Sequence, residues 1–348
     1  MANRSQKPRR PSPLMRLVKA LYLILVILSA VIVALFLAYK LFVRAPNVDN
    51  QVTFPVQSAQ PGVSQPPDDP GESGEPAQPS EEVIVYTRRE GVYTCVLTGC
   101  DEGSLRADTI MLGCFDTVNG TASLVSIPRD TLVYYNNKNT KINTVYSHGG
   151  GKAMAQEVSE LLGVPVDYYV AVDLDAFGAI VKAIGGVYFD VPIDMDYDDP
   201  YQDLHIHLQK GYQKLDADGA IGVVRFRHNN DGTGYVRQDY ERVETQRKFL
   251  TALVSQTITV SNAAKVTDLI SILQKYVDTD MPLDTMIYFA TQAIGMDLGA
   301  ALETATLPSE WKSPYVEVDD DKALELVNRL LPVYTQPITA GIMDIRHR

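Results

Sequence analysis

The chain has 348 residues, 45% of them hydrophobic, and a formal net charge of −12. Eight of its 31 basic residues and none of its 43 acidic residues fall in the first 44 positions, so the remainder carries 23 basic against 43 acidic residues, a net of −20. A body that acidic argues against nucleic acid as a partner, and the length allows one or two domains.

Positions 1–19 read as a basic tail, with Arg4, Lys7, Arg9, Arg10, Arg16 and Lys19. Ala20 to Tyr39 is then a run of twenty uncharged residues rich in Leu, Ile and Val. As a helix it spans roughly 30 Å, the depth of bilayer hydrocarbon. A cleaved signal peptide has a shorter apolar core and a small-residue cleavage site, whereas Arg44-Ala45-Pro46 makes a poor one. The expectation is one transmembrane helix over 20–42. The basic excess before it puts the N-terminus in the cytoplasm and the body outside a single-pass cell membrane anchor.

Residues 43–82 are rich in Pro, Gly, Ser, Gln and acidic residues, a composition that predicts a disordered linker. Order is expected from Val83. Val92 to Gly99, Thr109 to Phe115 and Ala122 to Ile127 read as strands, Gly151 to Leu162 as a helix and Tyr168 to Val172 as a strand. Asp173 caps a helix reaching Ile184, which Gly185-Gly186 ends, and Val187 to Val191 is a further strand. Strands interleaved with helices predict an α/β sandwich around a mixed sheet. Candidate helices follow at Asn262 to Tyr276, Pro282 to Gly295 and Lys322 to Leu331. The predicted division is a main domain over 83–260 and a C-terminal helical extension over 261–348, with packing of that extension on the main domain left open. Cys95, Cys100 and Cys114 are odd in number and sit in or beside apolar runs, so buried free thiols are expected; a Cys100–Cys114 bridge stays open.

The stretch Val223 to Gln246, VVRFRHNNDGTGYVRQDYERVETQ, concentrates the chemistry. Its opening alternation predicts a strand that sends Arg225 and Arg227 out of one face. A Gly/Asn/Asp loop follows, His228 to Gly234, read as flexible. A helix from Asp239 then puts Asp239, Arg242 and Gln246 on one side. Guanidiniums match phosphate oxygens bidentately, so a phosphate or pyrophosphate site is one reading. A salt-bridge network closed by Asp239, Asp216 and Glu241 is the other. Below Gln246 the same helix carries Phe249, Leu250, Leu253 and Val254, which suit either an ordinary core or the wall of a lipid cavity.

Asp101 and Asp108 flank a short connection between two strands; paired carboxylates of this kind suit Mg²⁺, and ordinary loop aspartates with a helix or turn cap are the other reading. In Ser126-Ile127-Pro128-Arg129-Asp130, proline ends the strand and presents Arg129 from a rigid turn, either as a fourth phosphate contact or as a partner of Asp130. Lys141 lies soon after, in Lys141-Ile142-Asn143. His205 and His207 are two apart, as in an exposed strand, with no third ligand at zinc-like spacing. No G-x-S-x-G nucleophile elbow is present.

Six motifs occur in one order between Val92 and Thr257: RADTIML, SIPRD, KIN-x-x-Y, IGGVYFDVP, VRFRHNNDGTGY and D-x-x-R-x-x-x-Q. Together they resemble the LytR-CpsA-Psr family. The resemblance implies a three-layer α/β/α sandwich with a mixed central sheet and a long apolar pocket. It implies a phosphotransferase of the Gram-positive envelope, of the polyisoprenyl-teichoic acid–peptidoglycan transferase type. Such an enzyme moves a glycopolymer (teichoic acid, capsule or related polysaccharide) from undecaprenyl pyrophosphate onto peptidoglycan through a phosphodiester, assisted by Mg²⁺. By motif position, Asp101 and Asp108 take the Mg²⁺-linked roles, and Arg129, Arg225, Arg227, Arg242 and Gln246 line the pyrophosphate site. Arg106 and Lys141 support it, and Asp108, Arg129, Arg225 and Arg227 are the expected catalytic set. Many members carry an arginine just before the glutamine, where this chain has Thr245, with Arg237 and Arg247 as possible substitutes. The rival readings are a non-catalytic prenyl-pyrophosphate receptor and a lipid pyrophosphatase.

Overall fold

The computed structural model describes residues 43–55, 83–100, 106–236, 239–257, 271–272, 274–294, 296 and 301–346. The expected transmembrane segment 20–42 lies outside the described residues, as do 56–82 of the expected linker. Among the described residues no helix is long and apolar enough to cross a membrane. The chain divides into residues 1–46 and 47–348, and the second unit holds the elements that follow.

It opens with β1 (Gln51–Pro55) and β2 (Val83–Thr87), paired antiparallel. This corrects the expectation of disorder throughout 43–82. Val52 and Phe54 alternate along β1 and pack on the core, Phe54 edge-on to Tyr86 with ring centroids 5.9 Å apart. A period-two apolar pair is enough for a strand once it has a partner and a surface to bury against.

The central sheet uses β3 (Val92–Cys100), β4 (Ala107–Asp116) and β5 (Thr121–Ile127) as an antiparallel meander. After it come a hairpin, β6 (Leu132–Tyr135) with β7 (Lys138–Lys141), and helix α1 (Asn143–Leu162). β8 (Tyr168–Val172) returns parallel to β3. α1 begins earlier than the expected Gly151 and is kinked at Gly150, whose φ of 65° needs glycine. Gly151 meets the Tyr169 ring, which a Cβ would approach to 2.1 Å. α2 (Leu174–Ile184) starts at the Asp173 cap, whose carboxylate accepts from Ala176 N at 2.7 Å, and stops at left-handed Gly185.

β9 (Val187–Val191) follows, then the hairpin β10 (Met195–Asp199) with β11 (Leu204–Leu208), then β12 (Gly211–Leu215), which pairs with β9. α3 (Ala217–Arg225) and α4 (Asp239–Thr257) come next, then β13 (Val277–Thr279) and α5 (Leu283–Ala293). The chain closes with β14 (Leu302–Thr306), the hairpin β15 (Ser309–Lys312) with β16 (Tyr315–Val318), and α6 (Asp320–Leu330). The central sheet runs β13-β8-β3-β4-β5-β14, with parallel and antiparallel neighbours. The expected mixed sheet within an α/β fold is therefore what the chain forms.

Two expectations are corrected here. Val223 to Arg227 is not a strand: Val223 and Arg225 belong to α3, and Arg227 lies beyond its end. Asp216 caps that helix by accepting from Gly219 N at 2.9 Å, and Ala220 and Val223, one turn apart, bury together in the core. A cap plus helical spacing overrides the β-branched pair. Residues 261–348 are more than a helical extension, because β14 is an edge strand of the central sheet. Leu326, Val327, Leu330, Tyr334, Ile338 and Ile342 bury in the same core as α1 and β4.

The sheet's two faces differ. Val96, Ile110, Leu112, Val125 and Ile127 point into the core shared with α1 and α6. Leu97, Thr109 and Met111, of opposite parity, face a cavity instead. Below the core, Arg88 and Asp167 are joined by two bonds of 2.5 and 2.8 Å, and Asp167 also accepts from Thr94 N at 2.8 Å. This buried pair locks β3 to the turn before β8.

All three cysteines are free, which removes the Cys100–Cys114 bridge. Burial pushes each thiol up, Cys114 to about 12. The intact mass of the non-reduced protein should therefore be unchanged by reductant, and a thiol reagent should titrate all three only after unfolding. Glu157 on α1 is buried, and its carboxyl is pushed up from 4.5 to about 7 by that burial, with Glu160 and Asp344 adding and Arg346 opposing. A raised carboxyl favours its neutral form when folded, so stability from this group is fullest below pH 4.5 and falls as pH rises towards 7. Glu157→Gln should melt above wild type at pH 8, with the gap closing near pH 4. A gap independent of pH in thermal melts would contradict this.

Candidate functional site

The cavity on the second face of the sheet measures about 490 Å³, within the range of small-molecule sites. The ends of β3 and β4 form one wall, α2 another and α4 a third. The hairpin β10–β11 contributes Tyr197, Gln202 and Leu204.

Its chemistry is graded. Leu97, Met111, Leu174, Phe177, Ile180, Phe249, Leu250 and Leu253 are its apolar lining. Asp108, Arg225, Arg227, His228, Arg242 and Gln246 are polar lining, dominated by cations. α4 supplies both kinds. Arg242, Gln246, Phe249, Leu250 and Leu253 recur at helical spacing on one face, which runs about 16 Å from first to last. Arg242 is only 9% exposed, and Phe249 is fully buried.

Hydrogen bonds hold the polar end in place. Gln246 Nε2 donates to Val224 O at 2.8 Å, tying α4 to the last turn of α3. Arg225 closes α3, where a cation suits the helix C-terminus, and donates to Gln202 Oε1 at 2.7 Å. Arg227 follows in extended chain and enters the same cavity. The two arginines therefore converge although they do not share a strand. The loop His228 to Gly234, expected to be flexible, is closed on itself by Asn229 N donating to Thr233 O at 2.7 Å. Asn229 Oδ1 and Asn230 Oδ1 accept from Asp196 N and Asp198 N, at 2.7 and 2.6 Å, so its amides strap it to β10.

On the sheet side, Asp108 lines the cavity and pairs with Arg129 at 2.7 Å. Lys141 pairs with Asp130 at 2.9 Å. Asn143 N donates to Arg129 O and Ile142 N to Thr131 O, so the KIN segment fixes the turn that presents Arg129. Arg106 is exposed just before β4. Neither it, Arg129 nor Lys141 is among the cavity-lining residues. Asp101 and Arg237 lie outside the described residues. Thr245 bonds back to Glu241 O, and neither it nor Arg247 reaches the cavity, so no substitute for the family's second arginine appears among the described residues. Asp216, offered as a salt-bridge partner, is spent on its cap.

Asp173, Tyr197 and Gln202 are cavity residues that the sequence reading did not assign to the site. Asp173 was identified only as a helix cap. The alternation Met195-Asp196-Tyr197-Asp198 and Leu204-His205-Ile206-His207 was the available signal for the hairpin. A hard divalent cation takes one or two carboxylates together with substrate phosphate oxygens. Asp108 offers such a carboxylate, 39% exposed, beside the cation-lined end, so the donor chemistry fits Mg²⁺.

The LytR_cpsA_psr family model matches residues 69–330. The chain is 32% identical over 181 residues to TagV of Bacillus subtilis, named as a polyisoprenyl-teichoic acid–peptidoglycan teichoic acid transferase; the match covers 51% of this chain and 45% of TagV, so the chain spans about half the length of that relative. It is 31% identical over 239 residues to TagU of Bacillus anthracis, with the same activity in its name, covering 67% of this chain and 74% of TagU. The crystal structure of B. subtilis TagV superimposes with a TM-score of 0.60 and 25% identity, over 70% of this chain and 97% of that one. The six ordered motifs, the mixed sheet and these matches agree: the chain belongs to the LytR-CpsA-Psr family.

Proposed function

We propose that this protein transfers a glycopolymer from a polyprenyl-pyrophosphate carrier to peptidoglycan, forming a phosphodiester. The observation that carries the reading is the graded cavity. A prenyl pyrophosphate is a multiply charged head on an apolar tail, and α4 offers a cation, an amide and an apolar stripe in that order. The teichoic acid transferase names of TagU and TagV support the reaction class.

In this reading Arg225, Arg227 and Arg242 hold the pyrophosphate oxygens, Gln246 donates beside them, and Arg129 with Arg106 and Lys141 extends the positive field outside the cavity. The acceptor is a sugar hydroxyl of peptidoglycan. Its oxygen forms a bond to the glycan-bearing phosphorus, the P–O bond to the lipid phosphate breaks, and prenyl monophosphate leaves. Arginines aimed at these oxygens stabilise the charge that builds up during transfer. Asp108, oriented by Arg129, accepts the hydroxyl proton. Asp108 together with Asp101 would hold Mg²⁺, which when bound supplies further positive charge to the pyrophosphate. The uncharged run Ala20 to Tyr39 and its basic flank support an anchor that keeps the body outside the cell membrane, where carrier and acceptor meet.

The test is to incubate the full chain with a prenyl-pyrophosphate-linked glycan, peptidoglycan oligomers and Mg²⁺, and to look for the phosphodiester product by mass. Arg227→Ala and Asp108→Ala should each lower turnover by about 10²–10³, as removal of a transition-state contact does. Prenyl phosphate and phosphorylated glycan released without attachment would establish a hydrolase instead. Tight lipid binding with no turnover, with any acceptor offered, would establish a receptor. Leu250→Trp, which narrows the cavity at its apolar lining, should raise KM about tenfold for a long-chain carrier and leave a short-chain one unchanged, the effect of losing about 1.4 kcal/mol of apolar contact. Equal effects on both carriers would place the tail elsewhere.

A further inference from the structure

On the outer side of the cavity wall, the β10–β11 hairpin carries a second constellation. Its register sets Asp198 opposite His205 and Asp196 opposite His207. Met195, Leu204 and Ile206 bury beneath, and Asp196, Asp198, His205 and His207 all face solvent. The third ligand missing from the H-x-H spacing thus arrives from the neighbouring strand.

Asp198 Oδ1 lies 2.5 Å from His205 Nδ1 and 3.4 Å from His207 Nε2. The ligand atoms of Asp198, His205 and His207 all lie within 4.8 Å of one another, and among the described residues no other three His, Cys, Asp or Glu side chains come this close. His207 also turns its other nitrogen to a second carboxylate: Asp196 stands 2.7 Å from His207 Nδ1, while Asp203 lies 3.7 Å from His205 Nε2, beyond hydrogen-bond reach. A carboxylate behind a ligating imidazole is how metal-binding histidines are oriented and made more basic.

We propose that Asp198, His205 and His207 form a surface site for one borderline divalent ion of the Zn²⁺ class, with Asp196 positioning the His207 ring. Two imidazoles and one carboxylate favour Zn²⁺, Ni²⁺ or Cu²⁺ over Mg²⁺ or Ca²⁺. Side-chain exposures of 49–57% for the three ligands leave solvent access for a fourth, water ligand. The site is separate from Asp108 and its neighbours. None of its ligands lines the cavity, and the hairpin that carries them meets the cavity through Gln202 on Arg225 and through Asp196 N and Asp198 N on the loop amides of Asn229 and Asn230.

The experiment is calorimetric titration of the full, tag-free, chelator-treated chain with Zn²⁺ in excess Mg²⁺. One saturable equivalent is expected. It should survive in Asp108→Ala, disappear in His205→Ala and in His207→Ala, and weaken about 10–100-fold in Asp196→Asn. The histidines are exposed, so the variants should keep the metal-free melting temperature of the wild type, and Zn²⁺ should raise it only in chains that keep both. No saturable binding to the wild type, or binding unchanged by both histidine substitutions, would overturn the site and leave a plain His–Asp ladder.

Discussion

Along one face of α4 the side chains pass from cation to amide to hydrocarbon within about three turns, and the surrounding elements conform to that gradient. A guanidinium 9% exposed is costly to desolvate, on the order of several kcal/mol, and it does not shed its charge. Phe249, fully buried on the same face, needs the opposite surroundings. The fold meets both demands by tying α4 to α3 through Gln246, one turn from Arg242, and by packing Phe177 and Phe189 around Phe249. In the proposed function, an anionic head would add counter-charge where Arg242 sits and an apolar tail would cover the rest, so that one amphiphile would satisfy both ends at once.

The polar end is assembled from segments far apart in sequence, which is why so many short bonds serve it. Gln246 ties α4 to the end of α3, so Arg225 and Arg242 cannot drift apart independently. Asn229 and Asn230 strap the loop that follows Arg227 to β10, and Gln202 reaches back from the same hairpin to Arg225. On the sheet side, the backbone of Ile142 and Asn143 sets the turn that aims Arg129 at Asp108. The motif residues thus act as supports for the polar end of the cavity. In a body with net charge of −20, they gather cations at one place.

The parts governed by local pattern were legible in the sequence. Long apolar runs marked β3, β4 and β5, and an aspartate cap with a double glycine bounded α2 on both sides. The reading of Val223 to Arg227 as a strand failed because V-R-F-R alternates, while the deciding signals, Asp216 and the Ala220–Val223 spacing, lie upstream and point to a helix. Arg225 and Arg227 nevertheless both line the cavity, one from the end of α3 and one from beyond it. What depended on pairing was hidden. β1 is two apolar residues in a polar stretch, β14 is a short LETAT segment that joins the sheet 175 positions or more after its partner β5, and Asp198 meets His205 only through hairpin register. Strand partners are chosen by tertiary packing, which a local reading does not contain.

The most direct test of the account is a crystal structure of the chain with a long-chain prenyl pyrophosphate. The account predicts both phosphates within hydrogen-bond reach of Arg225, Arg227 and Arg242, with the tail running past Gln246 along Phe249, Leu250 and Leu253. A lipid bound elsewhere, or phosphates at the arginines with the tail in solvent, would contradict the claim that one graded cavity holds both halves of the carrier.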